Sequence, residues 1–314
     1  MTSEMAGQEI QFNDAAQGSS LPPRLKLFRF LGRQTWIPRG QDRLLRAVWN
    51  PRAERTFSFE VDFFGLRYRG NLSQLLDWNV FGYGAYALRE LTLLAAIAEQ
   101  LRKRKGHVAF FDIGANLGHH ALFMSQYADE VVAFEPFPSL QESIQQKIRI
   151  NHLTNVRLVP VALGLEDATR SYFPGDGANS GAGTFIPEIF DSYLPPVQIE
   201  IRNGDRLHQE LGLPPVDLLK ADVEGFESLL FGGLRACILR DRPPILLEMG
   251  DRVRAGFGRE DAFKNSFYPG AVFAEVTGRN GRPYILKQFR YESSHEALVA
   301  PPELASWVDD QIHA

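Results

Sequence analysis

The charged residues with the clearest potential for chemistry lie in one short stretch near the middle of the chain. Residues 218–227 read L-L-K-A-D-V-E-G-F-E, in which a lysine and three carboxylates follow an apolar run. Charge placed against a buried segment costs free energy unless it is paired or used. We predict that Asp222 and Glu224 contact an acceptor or act as a general base, and that Lys220 keeps a carboxylate ionised. A helix N-terminus is the alternative role for Glu224 and the predicted role for Glu227.

A second motif, F-F-D-I-G-A-N-L-G at residues 110–118, is typical of a loop that binds a cofactor. Gly114 and Gly118 permit a tight turn into a helix, whose free N–H groups face a ligand. The spacing D-x-G-x-x-x-G differs from the G-x-G-x-x-G of a dinucleotide-binding turn, and Asn116 replaces its middle glycine. Close approach of a pyrophosphate is therefore disfavoured. Asp112 adds negative charge that suits a ligand with an ammonium or a sulfonium group.

An acid lies at the predicted carboxyl end of the next strand, in V-V-A-F-E. This residue, Glu135, follows Gly114 by 21 positions. An acid at about this distance commonly binds the hydroxyl groups of a ribose. A loop without pyrophosphate geometry, followed by a ribose-binding acid, predicts a nucleoside cofactor without phosphates. S-adenosylmethionine is the common example.

These motifs together resemble the FkbM family of S-adenosylmethionine-dependent methyltransferases. Five motifs follow the order and spacing of the family over roughly residues 110–248: D-I-G-A-N-L-G, A-F-E-P-F-P, V-A-L-G, K-A-D-V-E-G-F-E and P-P-I-L-L-E. The resemblance implies a class I fold, S-adenosylmethionine as the cofactor, and O-methylation of a hydroxyl on a sugar, glycan or natural product. The cofactor-site residues that it implies are Asp112, Gly114, Asn116, Gly118, Glu135, Pro136 and Ala162.

The chain departs from the family pattern at two points. Where family members usually carry aromatic and threonine residues, this chain has His119, His120 and Ala121. Where the family commonly has a pair of acidic residues, the stretch I-R-N-G-D-R-L keeps only Asp205. Adjacent residues on a helix point about 100° apart, so the two histidines cannot both face one ligand. We expect one imidazole to face the site and the other to face solvent.

Other functions stay open at this point. A nicotinamide-dependent oxidoreductase and a non-catalytic cofactor-binding or scaffold module are the two alternatives. Because ligands sit at the carboxyl ends of the strands in doubly wound sheets, we expect Asp112, Glu135, Asp222 and Glu248 to converge on one crevice. Asp222 and Glu248 could hold a magnesium ion there, but no metal is assigned to the site.

The elements that must position these residues alternate between strand and helix from residue 107 onward. Such alternation predicts an α/β fold with a doubly wound, mostly parallel, seven-stranded sheet. Near the C-terminus A-V-F-A-E-V and P-Y-I-L-K-Q-F flank an N-G turn, which predicts an antiparallel hairpin at the end of the sheet. The glycine-rich loop Gly175–Gly183 is expected either to close over the substrate or to be a surface connection.

The predicted organisation has four parts: a flexible tail (1–23), an extension of helices and strands packing on the core (24–104), the class I methyltransferase domain (105–290) and a C-terminal tail (291–314).

Hydrophobic content of 44% and charged content of 23% are those of a soluble globular protein. No transmembrane segment or secretory signal is predicted. The single cysteine, Cys237, excludes an intrachain disulfide and favours the reducing cytoplasm.

The expected partner is a small-molecule or glycan acceptor, and no oligomeric state is predicted. The mildly acidic net charge of −4 argues against nucleic-acid binding. Residues 24–55 carry nine Lys and Arg against Asp42 and Glu54, a local charge of +7. This segment leaves open a contact with an anionic membrane surface.

Overall fold

The computed structural model describes residues 21–34, 40–53, 56–175, 183, 185, 195–278 and 284–313. The predicted tail up to residue 20, the N-G turn at 280–281 and most of the glycine-rich loop at 175–183 lie outside these residues. In the described part of the N-terminal extension the elements are α1 (Pro23–Gly32), α2 (Gln41–Val48), β1 (Ser58–Phe63), β2 (Leu66–Asn71), α3 (Leu75–Tyr83) and α4 (Leu88–Lys105).

From residue 109 onward strands and helices alternate, as the sequence predicts. They are β3 (Ala109–Ile113), α5 (His119–Met124), β4 (Glu130–Phe134), α6 (Pro138–Ile150), β5 (Val156–Val159), β6 (Ala162–Gly164), β7 (Ala168–Tyr172), β8 (Val197–Asn203), α7 (Gly204–Glu210), β9 (Leu218–Ala221), α8 (Glu227–Gly233), α9 (Arg235–Asp241), β10 (Ile245–Glu248), α10 (Asp251–Phe257), α11 (Glu260–Asn265), β11 (Val272–Thr277), β12 (Ile285–Gln288), β13 (Glu296–Ala300), a 3-10 turn (Pro302–Leu304) and α12 (Ala305–His313).

The main sheet runs in the order β12-β11-β13-β10-β9-β3-β4-β5. The five strands from β10 to β5 are parallel, and the pairs that involve β13 or β12 are antiparallel. The predicted α/β class is therefore confirmed, with eight strands in the described part of this sheet where seven were expected. The strand order reverses on either side of β3, because β4 follows it on one side and β9 on the other.

The parallel strands are apolar on both faces because helices cover both faces of the sheet. All five residues of β3 are buried. Alternate side chains enter different apolar clusters, with Phe110 on one face and Phe111 and Ile113 on the other. This period-2 alternation is the geometry of a pleated strand. Asp112 is the one charged residue in β3, and it is completely buried.

The prediction that residues 291–314 form a C-terminal tail is wrong. This segment contains β13, which inserts between β10 and β11 and is antiparallel to both. All five of its residues are buried. The predicted pair β11 and β12 is antiparallel, but β12 lies at the outer edge of the sheet. E-A-L-V-A is too short to show a periodicity, and its place in the sheet depends on neighbours that are distant in sequence.

A smaller sheet in the order β6-β8-β7 stands beside the main one. Within the apolar run V-R-L-V-P-V the strand β5 ends at Val159, and the chain enters the smaller sheet at Ala162. Pro160 lacks the N–H that a ladder needs, which explains the break. The break brings Ala162 and Leu163 close to the carboxyl ends of the main strands.

The N-terminal extension packs on the same core as the sheet. Trp78 and Phe81 of α3 belong to one apolar cluster with Phe110 of β3. Tyr68 donates a hydrogen bond of 2.7 Å to Asp77, and the ammonium of Lys147 from α6 lies 4.4 Å from the centroid of the Tyr68 ring. These contacts fix α3 beside the sheet.

Among the described residues, no individual helix is both long and apolar enough to cross a membrane; α3 and α4 together reach that length and composition, but as a pair bent by 79°.

Candidate active site

Two adjoining cavities lie at the carboxyl ends of the parallel strands, where the strand order reverses. The first has a volume of about 210 Å³ and the second of about 270 Å³. Both are lined by Tyr86, Lys220, Asp222 and Glu248, which therefore mark their junction. A crevice outside the carboxyl ends of the strands, at a reversal of the strand order, is where doubly wound folds bind ligands.

The glycine loop between β3 and α5 forms one wall of the first cavity. Gly114 has φ of +79°, and a Cβ atom on it would lie 1.9 Å from the carbonyl oxygen of Asp222. Only glycine allows this approach of the two loops. Gly118 also has φ of +79°, but a Cβ there would meet Ile144 of α6 at 2.8 Å. Gly118 thus serves the packing of α5 on α6, whereas Gly114 and Asn116 line the cavity.

Glu135 follows β4 and is held by the backbone on both carboxylate oxygens. The N–H of Asn116 donates to Oε2 at 2.8 Å, and the N–H of Phe137 donates to Oε1 at 2.9 Å. Burial raises the pKa of Glu135 to about 7, although these two hydrogen bonds act in the opposite direction. Each oxygen keeps a further lone pair, so the group can accept hydrogen bonds from two neighbouring hydroxyls.

Several buried polar groups around the first cavity lack a hydrogen-bond partner within the described part of the chain. They are Oδ1 of Asn116 and both ring nitrogens of His119. Asp112 lies behind the glycine loop rather than in the cavity wall, and burial raises its pKa to about 6, although the charge of Lys220 and a hydrogen bond from the N–H of Ala121 act in the opposite direction. Buried polar groups without partners are uncommon and call for an explanation. A bound ligand with hydroxyl and amino groups would provide one.

The rest of the first cavity is largely apolar. Pro136, Ala162, Leu163 and Phe226 contribute to its lining. Among the described residues that line it, Lys220 is the only lysine or arginine. A cavity with apolar walls, a hydroxyl-binding carboxylate and no cluster of cations fits a nucleoside better than a nucleotide.

Lys220 and Asp222 form an ion pair at the junction of the cavities. Nζ of Lys220 lies 3.3 Å from Oδ2 of Asp222, and Lys220 is also the register neighbour of Asp112 on β3. Burial alone disfavours the ammonium, but Asp222, Asp112 and Glu90 outweigh this effect and raise the pKa of Lys220. Burial likewise disfavours the Asp222 carboxylate, yet Lys220 holds its pKa below the usual value. Both groups are therefore charged at neutral pH.

Glu248, the last residue of β10, is exposed to the cleft and shares a hydrogen bond with Asp222. Two carboxylates that share a hydrogen bond cannot both be ionised, so one of them carries the proton. Partial burial of its carboxyl, followed by repulsion from Asp222, raises the pKa of Glu248 to about 8. Glu248 is therefore the donor and Asp222 the acceptor.

Glu224 and Glu227 have partners outside the pair of carboxyl groups formed by Asp222 and Glu248. Glu224 has φ of +53°, lines only the first of the two cavities and forms a 3.3 Å ion pair with Arg252. Glu227 is completely buried, begins α8 and accepts a hydrogen bond from the N–H of Val223 at 3.0 Å. Of the three residues predicted to be catalytic, Lys220 and Asp222 lie at the junction and Glu224 lies to one side.

The expectation that one of the two adjacent histidines faces solvent is wrong. His119 and His120 are both buried and both line the first cavity, with ring centroids 3.9 Å apart. Burial lowers the pKa of each well below the usual value, so both are neutral. The extension covers the outer side of α5, a contact that helical geometry alone does not reveal.

Sequence reasoning missed most of the second cavity. The segment from the end of α3 to the first turn of α4 supplies Tyr83, Tyr86, Arg89 and Glu90, and β13 supplies Glu296. Adjacent opposite charges in A-L-R-E-L, directly before an apolar helix, were the signal for Arg89 and Glu90. Among the described residues, no group of three or more His, Cys, Asp or Glu is arranged to hold a metal ion.

Comparison with known proteins identifies the family. The methyltransferase FkbM domain matches residues 112–275, just over half of the chain. The chain belongs to the FkbM methyltransferase family. The resemblance inferred from the sequence motifs is therefore confirmed.

Individual relatives of this family member are distant. It is 29% identical over 192 residues to the AMB antimetabolite synthetase AmbE of Pseudomonas aeruginosa, a match of 49% of this chain and 9% of that protein. It is 28% identical over 141 residues to Methyltransferase 1 of Beauveria bassiana, covering 39% of this chain and 57% of that one. The chain therefore spans only part of the length of either. Among solved structures, the methyltransferase FkbM from Methylobacillus flagellatus KT is 14% identical, with a TM-score of 0.41, covering 64% of this chain and 47% of that chain.

Proposed function

We propose that this FkbM-family protein transfers the methyl group of S-adenosylmethionine to a hydroxyl of a small-molecule or glycan acceptor. The observation that carries the proposal is the junction of two cavities at Lys220 and Asp222. A transferase of this kind needs two ligands whose reacting atoms meet, and the two cavities provide two spaces that share one charged wall.

The first cavity would hold the cofactor. Glu135 would accept hydrogen bonds from the ribose hydroxyls, and Pro136, Ala162 and Phe226 would contact the apolar part of the nucleoside. Asp112, behind Gly114, would favour the ammonium group through its charge. When bound, S-adenosylmethionine supplies a methyl group on a positively charged sulfur. Oδ1 of Asn116, which lines the cavity and has no hydrogen-bond partner in the described part of the chain, supports this assignment.

The residues at the junction would position the acceptor and remove its proton. Methyl transfer to an oxygen requires the acceptor to be aligned and its hydroxyl proton to be taken by a base. Asp222 suits this role because Lys220 keeps it ionised and its side chain is 40% exposed toward the cleft. Lys220 acts through Asp222 and is a positioning residue. Glu224, tied to Arg252, would hold the wall of the first cavity.

Calorimetry with S-adenosylmethionine tests the proposal. The wild-type protein is expected to bind it, and Glu135→Gln should weaken binding by about 1.5–3 kcal/mol, which is the size of a hydrogen bond to a charged group. Glu142→Gln on α6 is the matched control, because Glu142 is exposed and pairs only with Arg149 among the described ion pairs. An absence of binding by the wild type, or equal binding by Glu135→Gln, would contradict the proposal. Preferential binding of NAD would support an oxidoreductase instead.

A further inference from the structure

The second cavity has a charge pattern that the proposed transfer of a methyl group to a neutral alcohol does not require. Four carboxyl groups line it, with one arginine and one lysine. The carboxyl groups belong to Glu90, Asp222, Glu248 and Glu296, and the cations to Arg89 and Lys220.

Three of the four carboxyl groups already have partners. Arg89 donates to both oxygens of Glu296, with Nε 3.0 Å from Oε2. Lys220 pairs with Asp222, and Glu248 donates a hydrogen bond to Asp222. These interactions compensate the charges of Glu296 and Asp222. None of these three interactions involves the fourth carboxyl group, that of Glu90.

Glu90 lies in the first turn of α4, and its side chain is only 14% exposed. The ion pairs within the described residues give it no lysine or arginine. Its nearest basic neighbour is His120, with Nε2 3.1 Å from Oε2 of Glu90, but burial keeps that imidazole neutral. Glu90 also contacts Glu296, whose charge Arg89 already compensates. Burial raises the pKa of Glu90 to about 7, and the charges of Lys220 and Arg89 only partly offset this effect. A cationic group of a ligand placed at Glu90 would stabilise its ionised form.

The imidazoles beside Glu90 connect it to the first cavity. Nε2 of His120 has no partner with hydrogen-bond geometry in the described part of the chain, and neither ring nitrogen of His119 has one. Both side chains are 2% exposed and line the first cavity. The ring of His119 also contacts Tyr86, which lines both cavities, with centroids 5.3 Å apart. Buried polar nitrogens are normally satisfied, so we expect a ligand of the first cavity, or an acceptor that reaches past Tyr86 to the junction, to complete their hydrogen bonds.

Aromatic side chains stand on the same side of the second cavity as Glu90. Tyr83, at the end of α3, and Tyr86, in the connection to α4, line it. The hydroxyl of Tyr83 donates a 2.8 Å hydrogen bond to Asp42 of α2. Aromatic faces attract an ammonium group, and a carboxylate beside them adds a direct ion pair. This combination suits a primary ammonium better than a neutral hydroxyl.

We propose that the second cavity binds an acceptor through a protonated amine that pairs with Glu90, while a hydroxyl of the same molecule reaches Asp222. The acceptor is then an amino alcohol or an amino sugar rather than a neutral polyol. This inference rests on the proposed function, and it adds that the N-terminal extension selects the substrate. Glu90 is a specificity residue in this scheme, because it contacts the acceptor away from the reacting oxygen.

The experiment compares matched pairs of probes on the full chain loaded with S-adenosylhomocysteine, the product of the proposed reaction. Calorimetric titrations with glucosamine and glucose, and with 2-amino-1,3-propanediol and glycerol, isolate the contribution of the amine. Each amine should bind at least about tenfold more tightly than its neutral partner, since pairing with a largely desolvated carboxylate is a strong interaction. Glu90→Gln should remove most of this preference.

Glu99→Gln is the control, because it makes the same chemical change on α4 outside the lining of both cavities. It should keep the preference for amines. Retention of S-adenosylmethionine binding by Glu90→Gln shows that the variant is folded, since Glu90 does not line the first cavity.

Equal binding of amine and neutral probes by the wild type, including no binding of either, would overturn the inference. So would an amine preference that Glu90→Gln leaves intact. Neither result touches the proposed function, which fails separately if the wild type does not bind S-adenosylmethionine.

Discussion

The two cavities meet at Lys220 and Asp222 but are built in different ways. The first is formed largely by short motifs at strand ends, and backbone groups hold its main acid, as the two N–H bonds to Glu135 illustrate. The second gathers side chains from four separate segments, and ion pairs between distant residues such as Arg89 and Glu296 hold them. The first cavity is thus a property of the fold, whereas the second depends on what packs against the fold. A cofactor that all members of a family share suits the first, and a particular substrate suits the second.

The strongest test of this comparison is a substitution at the junction of the two cavities. Asp222→Asn should lower methyl transfer by about 10²–10⁴-fold, the usual contribution of a general base. Binding of S-adenosylmethionine should change much less, because Asp222 borders the first cavity without holding the ribose. The measurement is transfer of labelled methyl groups to the small-molecule fraction of a cell extract, beside calorimetry. Full activity in the variant would move the base to another residue, with Glu224 the first to examine.

A second test concerns the backbone contact that the first cavity needs. Gly114→Ala places a methyl group against the carbonyl oxygen of Asp222 and strains a backbone with φ of +79°. We expect a loss of roughly 2–5 kcal/mol in the free energy of unfolding, from steric overlap and backbone strain together, and loss of S-adenosylmethionine binding. Denaturant unfolding and calorimetry measure the two effects.

Gly106→Ala provides the matched control for this test. Gly106 has φ of +76°, but a Cβ atom there meets nothing within 4 Å. It should cost about 1 kcal/mol from the backbone alone and leave cofactor binding intact. If the two variants were equally stable, the close approach of the two loops would not matter.

The smallest predicted effect concerns Glu227, which supports the loop after β9 and, unlike the acids at the junction, faces neither of the two cavities. Burial raises the pKa of Glu227 to about 7. Between about pH 4.5 and pH 7 the unfolded chain therefore loses a proton that the folded chain keeps, so this group lowers the stability as the pH rises through that window. Below the window both states are protonated, and above it the penalty stays constant.

Glu227→Gln removes this titration. Relative to the wild type, the variant should therefore gain on the order of 1–3 kcal/mol in stability between pH 4.5 and pH 8. Denaturant unfolding at several pH values measures the difference. A constant difference across the range would show that Glu227 is ionised in the folded protein.

Much of the fold followed from local patterns. The apolar runs V-A-F-F-D-I and V-V-A-F-E and the helices between them define parallel strands, because each pattern carries its own period. The place of β13 did not follow, since E-A-L-V-A pairs with β10 and β11 only after the whole sheet has assembled. Pro160 indicates in the sequence where β5 ends. No local pattern shows which sheet the next strand joins.

The candidate site divides in the same way. By itself the sequence determined the glycine loop, the acid that follows β4 and the charged end of β9, because the residue types and the turns that position them lie within a few positions of one another. Only the tertiary structure decided that Glu227 is buried support, that His119 and His120 are both enclosed, and that Glu90 lines a second cavity together with Lys220 and Asp222. The reason is physical: a turn or a strand end is specified by local backbone geometry, whereas burial, pKa and the partner of a charge depend on which distant segments exclude water from it.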